Sequence, residues 1–264
     1  FGLAVQMYVS TLVSDDSPAD RYAEGNTKAL TAQQIRGKKV FETKGRCINC
    51  HGGAETTNAS VSNVVNQRIE TMIMGDGFSA TYDNGFYNIG VRPTKEDIGV
   101  GGTDPFGNPL SETLMVKKGL SHLLGNNFDS NRNPKPGDIK RVAVNGAFKT
   151  PGIRNVELTG PYFHNGGKSS LMQVVDFYDR GGDFGKQNEN DLDPDIRRLH
   201  LSDGEKEDLV TFMLALTDER VKLKKAPFDH PSLCVPDGHQ RDEYVLIRDG
   251  SSKRALDNLI CFVA

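Results

Sequence analysis

The chain has 264 residues and a mass of 28.9 kDa, with 36% hydrophobic and 25% charged residues. That is enough for a sizeable core in one or two domains, and it excludes both a disordered tail and a membrane bundle. Its 32 basic and 35 acidic residues leave a net charge of −3, which removes the electrostatic case for a nucleic-acid partner.

No apolar run approaches the roughly 18 residues of a spanning helix. Glycine is abundant, at 28 residues, and tryptophan is absent; long turns and close backbone approaches are expected. The opening FGLAVQMYVSTLV runs into SDDS without the basic start and small-residue cleavage site of a secretory signal. It reads as the tail of an amphipathic helix, and the chain as a mature or trimmed product. Thr31 and Gln34 form a capping box before QQIRGKKVFET, a short helix leading into GRCINCHGG. From about 52 to 110 the chain is rich in Gly, Asn, Thr and Asp while Phe, Tyr, Ile and Val recur, which predicts ordered loops.

SETLMVKKGLSHLL at 111–124 reads as a helix, followed by the polar break GNNFDSNRNPKPGD. SLMQVVDFY at 170–178 reads as another, stopped by Gly181 and Gly182. Ser202 and Glu205 make a second capping box, with Leu209, Phe212, Met213 and Leu216 at helical spacing beyond it. After Ala226 the chain turns polar and proline-bearing, with YVLI at 244–247 as a short strand.

The four cysteines fall into two uses. Cys47 and Cys50, followed at once by His51, form C-x-x-C-H, the attachment pattern of a c-type haem. The two thiols add across the vinyl groups and the histidine ligates iron from one side. A thioredoxin-like pair would want a βαβ setting, and structural zinc would want a second ligand pair; the surrounding sequence supplies neither. Cys234 and Cys261 have no histidine behind them, and a disulfide and two free thiols both stay open for them. Haem c is attached outside the cytosol, so the first pair argues for a periplasmic or otherwise exported protein.

A haem held by His51 leaves one axial position. The candidates are Met72, Met74, Met115, Met172, Met213, five further histidines and seven tyrosines. Leu171, Val174, Val175 and Tyr178 share one helical stripe, so periodicity alone makes Tyr178 a core residue.

Three ordered motifs, CINCHGG, then FKTPGIRNVELTGPYFHNGGKSSLMQVVDFYDRGG, then LSDGEKEDLVTFMLALT, resemble the C-terminal haem domain of the bacterial dihaem cytochrome c peroxidase and MauG family. The resemblance spans about residues 1–217. It implies a mainly α, class I cytochrome c-like domain at 26–225 with loop insertions at about 60–135. Residues 1–25 would end a helix of an absent N-terminal haem domain, and 226–264 would be a C-terminal extension. In the family the second axial ligand lies fourteen residues beyond the histidine of PYFH, here His164, which gives Tyr178. Peroxidases carry methionine there and the MauG branch carries tyrosine. The resemblance also implies calcium held partly by carbonyls in the stretch of Thr159 and Pro161, a haem-edge role for His164, and Arg154 at a haem propionate.

One C-x-x-C-H is present where the family has two haems. The expected role is therefore the electron-transfer domain of a dihaem peroxidase or MauG-like oxidase. It would relay or store oxidising equivalents from a peroxide-reacting haem in a missing domain or second chain, and be catalytically incomplete alone. A small redox protein donor or a protein substrate would be its partner. The alternatives are a stand-alone monohaem carrier and a haem subunit of a larger redox assembly.

Overall fold

Reciprocal capping boxes begin helices at Ser17, Thr31 and Ser202, each hydroxyl accepting from the N3 amide while the N3 side chain accepts from the cap amide. The computed structural model describes residues 1–65, 67–125, 128–229, 233–236 and 259–262. In chain order the elements are α1 (Gly2–Val9), α2 (Pro18–Ala23), α3 (Ala32–Glu42), α4 (Val61–Val64), β1 (Ile69–Ile73), β2 (Ser79–Asp83), β3 (Phe86–Tyr87), α5 (Glu112–Lys117), β4 (Phe148–Lys149), α6 (Leu171–Asp179), α7 (Asp203–Leu214), α8 (Glu219–Lys222), β5 (Leu233–Pro236) and β6 (Leu259–Phe262). They divide into two units, Ser17–Asp218 and a second made of Phe1–Asp16 with Glu219–Ala264.

The main core of the larger unit lies between α3, α6 and α7. Val40 and Phe41 of α3, Leu171 and Val175 of α6, and Leu209, Phe212 and Met213 of α7 pack together, with the Phe41 and Phe212 rings edge-on at 5.4 Å. Lys206 ties α7 to α6 through Asp176 and Asp179 at 3.0 and 2.9 Å. A Schellman motif ends α6 after Asp179: Gly182 N–H reaches the Phe177 carbonyl and Gly181 N–H that of Tyr178, both glycines at positive φ.

The stretch 60–135, expected as loop insertions, carries structure and cores of its own. Asp76-Gly77 turns an antiparallel β1–β2 hairpin, with Gly77 at φ +82. Ile69, Val116 and Ile139 form one small core and Tyr82, Tyr87 and Val144 another. The single helix expected over 111–124 divides into α5 and a 3₁₀ turn at Ser121–Leu124, because Gly119 takes φ +75 and closes a second Schellman motif. Helices thus enclose the main core of the larger unit, with short antiparallel pairs β1–β2 and β3–β4 beside them, and the second unit holds the antiparallel pair β5–β6; helices make up well under half of the described residues. The expected mainly α, class I cytochrome c-like description holds only in part, since short strands accompany the helices.

Residues 17–25 fold with the larger unit, whereas the sequence places a boundary after 25. The reason is a long-range contact: Arg154 grips Asp20 of α2 with two hydrogen bonds of 2.8 Å. In the second unit, Arg220 pairs with Asp15 at 2.7 Å, and the β5–β6 register sets Cys234 opposite Cys261. The strand expected at 244–247 lies outside the described residues. No helix among the described residues is long and apolar enough to cross a membrane.

Candidate functional site

Cys47–Asn49 forms a single 3₁₀ turn, entered through Arg46 in the left-handed region at φ +56. The His51 N–H continues the turn by donating to the Cys47 carbonyl at 2.9 Å. Helical spacing brings the two thiols and the imidazole to one side of this turn. A second segment locks it: Asp195 accepts from Asn49 Nδ2 at 2.7 Å and pairs with the Arg46 guanidinium.

Beyond the turn opens a cavity of about 530 Å³, within the range of cofactor sites. Its walls are mainly apolar and aromatic, built by side chains of α3, α6 and α7 and by more from the segments around 87–91, 148–163 and 196–201, and Cys47, Cys50, His51 and Tyr178 all face it. Burial pushes the Cys47 thiol up to about 12 and the Cys50 thiol higher still, the Cys50 shift reinforced by Asp193 and Asp195. Both sulfurs are therefore neutral thiols near pH 7, unlike the thiolates of a zinc site or a reactive redox pair.

Burial likewise lowers the His51 pKa, which keeps the ring neutral. Its Nδ1 lies 3.1 Å from the Pro151 carbonyl and 3.2 Å from that of Thr56. Carbonyls only accept, so Nδ1 carries the proton and Nε2 keeps its lone pair, the tautomer of a metal-ligating histidine oriented from behind.

Tyr178 stands on the last turn of α6, walled by Phe177 and Phe163 at ring distances of 5.2 and 6.2 Å. Burial raises its phenol, with the facing Cys50, Cys47 and Asp193 adding to the shift. Among the described residues its hydroxyl has no hydrogen-bond partner. Two other polar candidates on the cavity wall are engaged: Tyr162 donates to the Val156 carbonyl at 3.0 Å, and His164 Nε2 bonds Asp97 while its ring stacks on Phe148 at 3.6 Å. Met213 also lines the cavity; Met72, Met74, Met115 and Met172 do not. Met74 is instead spent in a small core with Ala80 and Ala143. His122 and His200 lie off the wall, and His230, His239 and Tyr244 lie outside the described residues.

The other expected site residues divide. His164, Thr159 and Pro161 line the same cavity. The Thr159 hydroxyl donates to the Val156 carbonyl at 3.2 Å, and no group of three or more His, Cys, Asp or Glu gathers as a metal site among the described residues. Arg154 does not line the cavity: Asp20 and the Ala54 carbonyl, at 2.7 Å, hold its guanidinium. Positive charge on the wall comes instead from Arg46, Arg92 and Lys149.

Asp193 is a wall residue that sequence reading passes over. It is 4% exposed, and burial, with Asp195 beside it, raises its carboxyl to about 6. The run NDLDPD looks like a solvated acidic turn, although Leu192, buried inside it, marks the segment as one that folds inward.

The residues present fit a haem c. Two neutral thiols, an oriented imidazole and an unpartnered phenol border one apolar cavity with cations on its wall.

No family model matches the chain. A cytochrome-c peroxidase of Pseudomonas sp. (strain SCT) is 34% identical over 226 residues, covering 85% of this chain and 51% of that protein. The methylamine utilization protein MauG of Methylorubrum extorquens is 26% identical over 230 residues, covering 87% and 46%. The chain thus spans about half the length of the curated relatives it matches. Among solved structures, a MauG-like protein associated with microbial copper homeostasis aligns with a TM-score of 0.52 at 24% identity, over 82% of this chain and 52% of that one. This last likeness shows a shared fold.

Proposed function

We propose that this chain, whose relatives are cytochrome c peroxidases and MauG proteins, carries one haem c on Cys47 and Cys50 with His51 and Tyr178 as its axial ligands. It acts as the electron-transfer half of a dihaem peroxidase or MauG-like oxidase. The single observation that carries the reading is the Tyr178 hydroxyl, which borders the same cavity as the attachment cysteines and has no protein partner. A phenol oxygen that faces the cavity without a protein partner is free to donate to iron.

Haem c would supply one-electron exchange. The chain's own residues set its character. His51 is pre-turned by Pro151 and Thr56. Tyr178 supplies an oxygen donor that favours the ferric and higher states, where a thioether would favour ferrous iron. The apolar wall keeps water away, and Arg46, Arg92 and Lys149 stand where propionates can be neutralised. With both axial positions filled, peroxide would react at a second haem outside this chain, and a redox protein or a protein substrate would exchange electrons with the pair. Calcium near Thr159 and Pro161, and an exported, periplasmic setting, belong to the same reading.

Met213 on the cavity wall favours one competing reading, a histidine–methionine carrier with no catalytic partner. Pyridine haemochrome analysis of natively purified protein gives the haem count, with one per chain expected. Tyr178→Phe then separates the two readings. Altered optical and EPR spectra of the ferric haem support the tyrosine ligand, and unchanged spectra overturn it.

A further inference from the structure

The β1–β2 register places Glu70 directly opposite Tyr82, and the Tyr82 hydroxyl donates to Glu70 Oε2 at 2.7 Å. Tyr82 is 4% exposed. A buried tyrosine needs a hydrogen-bond partner, but a neutral carbonyl would serve with less desolvation than a carboxylate. The Tyr82 ring lies 5.8 Å from that of Tyr87. Tyr87 lines the haem cavity, and Cys50 packs against the same small core. The chain has no tryptophan, so tyrosines are the readily oxidised side chains available for such a route.

From this juxtaposition we infer that Tyr82 is a redox-active tyrosine, with Glu70 as its proton acceptor and Tyr87 as the bridge to the cavity. The inference rests on the haem reading for its oxidant: hydrogen peroxide would take two electrons at the peroxide-reacting haem outside this chain, and one of those two oxidising equivalents would pass to this chain's haem and raise it one level above ferric. In the step, Tyr82 loses one electron, which passes through Tyr87 to the oxidised haem and lowers it by one level. The O–H bond of Tyr82 breaks and its proton bonds to Glu70 Oε2. The products are a neutral phenoxyl and a carboxylic acid, and no further reactant is needed. Moving the proton across a preformed hydrogen bond avoids a phenol cation in a dry core, which is the expensive alternative. The β1–β2 hairpin thereby becomes a place where an oxidising equivalent rests apart from the iron.

The test is flash-quench oxidation of the purified holoprotein by photogenerated tris(bipyridine)ruthenium(III), followed by EPR and transient absorption. The series is wild type, Tyr82→Phe, Tyr87→Phe and Glu70→Gln, with Tyr8→Phe removing an exposed background tyrosine. The expected result is a persistent phenoxyl signal in wild type that is lost in Tyr82→Phe. In Glu70→Gln it should form more slowly and decay faster, because amide nitrogen and oxygen cannot take the proton. In Tyr87→Phe formation should slow while the signal's shape is unchanged. A signal identical in Tyr82→Phe, or none in wild type, overturns the proposal. If Tyr82→Phe fails to fold, Glu70→Gln decides alone: unchanged formation and decay overturn it. Pyridine haemochrome on the same samples reports haem attachment separately. A chain without covalent haem defeats the functional reading, whereas a silent Tyr82 in a haem-loaded chain defeats only this one.

Discussion

Gly37 of α3 meets the backbone of Asp208 on α7 so closely that a Cβ at position 37 would stand 1.9 Å from the Asp208 carbonyl oxygen and 2.8 Å from the Phe212 Cβ. The obstacle is mainly backbone, which cannot swing aside. The Arg36–Asp208 pair, at 2.7 and 3.0 Å, and the Phe41–Phe212 contact fasten the same crossing. This crossing holds one wall of the cavity, since Phe41, Leu209 and Met213 face it.

Gly37→Ala should therefore destabilise, against the usual gain of about 1 kcal/mol for alanine over glycine inside a helix. Separating α3 from α7 to admit a methyl group costs about 1–3 kcal/mol or more, as overpacking does. A urea midpoint measured on the variant should fall. A midpoint that rises would mean the helices part freely.

The acid stability of the chain should depend on Asp20. Burial alone would raise this carboxyl, but hydrogen bonds from Arg154 and Ser17 outweigh it and hold it at about 2 against an ordinary 3.8. A carboxyl depressed by folding contributes stability that is complete above its unfolded pKa and lost as pH falls through the folded one. The window is therefore about pH 4 down to 2. Asp20→Asn should cost about 1–2 kcal/mol near pH 7, discounted for partial solvent contact, and should flatten that acid limb. A variant whose unfolding free energy still falls as steeply between pH 4 and 2 would place the dependence elsewhere.

How much of this was legible beforehand varied with the range of the interaction. C-x-x-C-H and the capping boxes at Thr31 and Ser202 are contacts within a few residues, so spacing alone reveals them. The capping box at Ser17 carries the same local signature, with Asp20 at its third position. Asp76-Gly77 and Asn84-Gly85 likewise mark turns around β2, yet the polar composition of that stretch reads as loop. Tyr178 is the opposite case. Helical periodicity places it on a core stripe, and only the assembled cavity shows that its hydroxyl lacks a partner there. Arg154, exposed-looking in a glycine-rich run, finds Asp20 from a segment 134 residues away, which no local pattern encodes.

Asp193 should act with the opposite sign to Asp20. Burial, then the neighbouring Asp195, raises it to about 6, although the Asp195 N–H donates to it at 2.8 Å. The folded chain then binds this proton more tightly than the unfolded one, so stability falls as pH rises from about 4 to 6. Asp193→Asn should remove that fall and stabilise the protein near pH 7 by at most about 2–3 kcal/mol. Unfolding free energies at pH 4.5 and 7.5 check it: the gap between wild type and variant should widen at the higher pH, and a constant gap would show that Asp193 does not titrate there.

Tyr178→Met asks what the phenol does for the iron. The hydroxyl is unbonded by protein, and Phe163 and Phe177 wall the ring, so a side chain of similar reach fits without leaving a polar group stranded. A thioether donates less charge than a phenolate and stabilises the reduced metal. The midpoint potential of the holoprotein should rise by on the order of a hundred millivolts, inside the roughly 0.8 V range that axial ligands span. Fold stability should change little, since a flexible methionine adapts to an aromatic-walled space. Spectroelectrochemical titration of both proteins measures the shift. An unchanged potential with an unchanged ferric spectrum would take Tyr178 off the metal and turn the assignment to the competing reading with Met213 of the cavity wall.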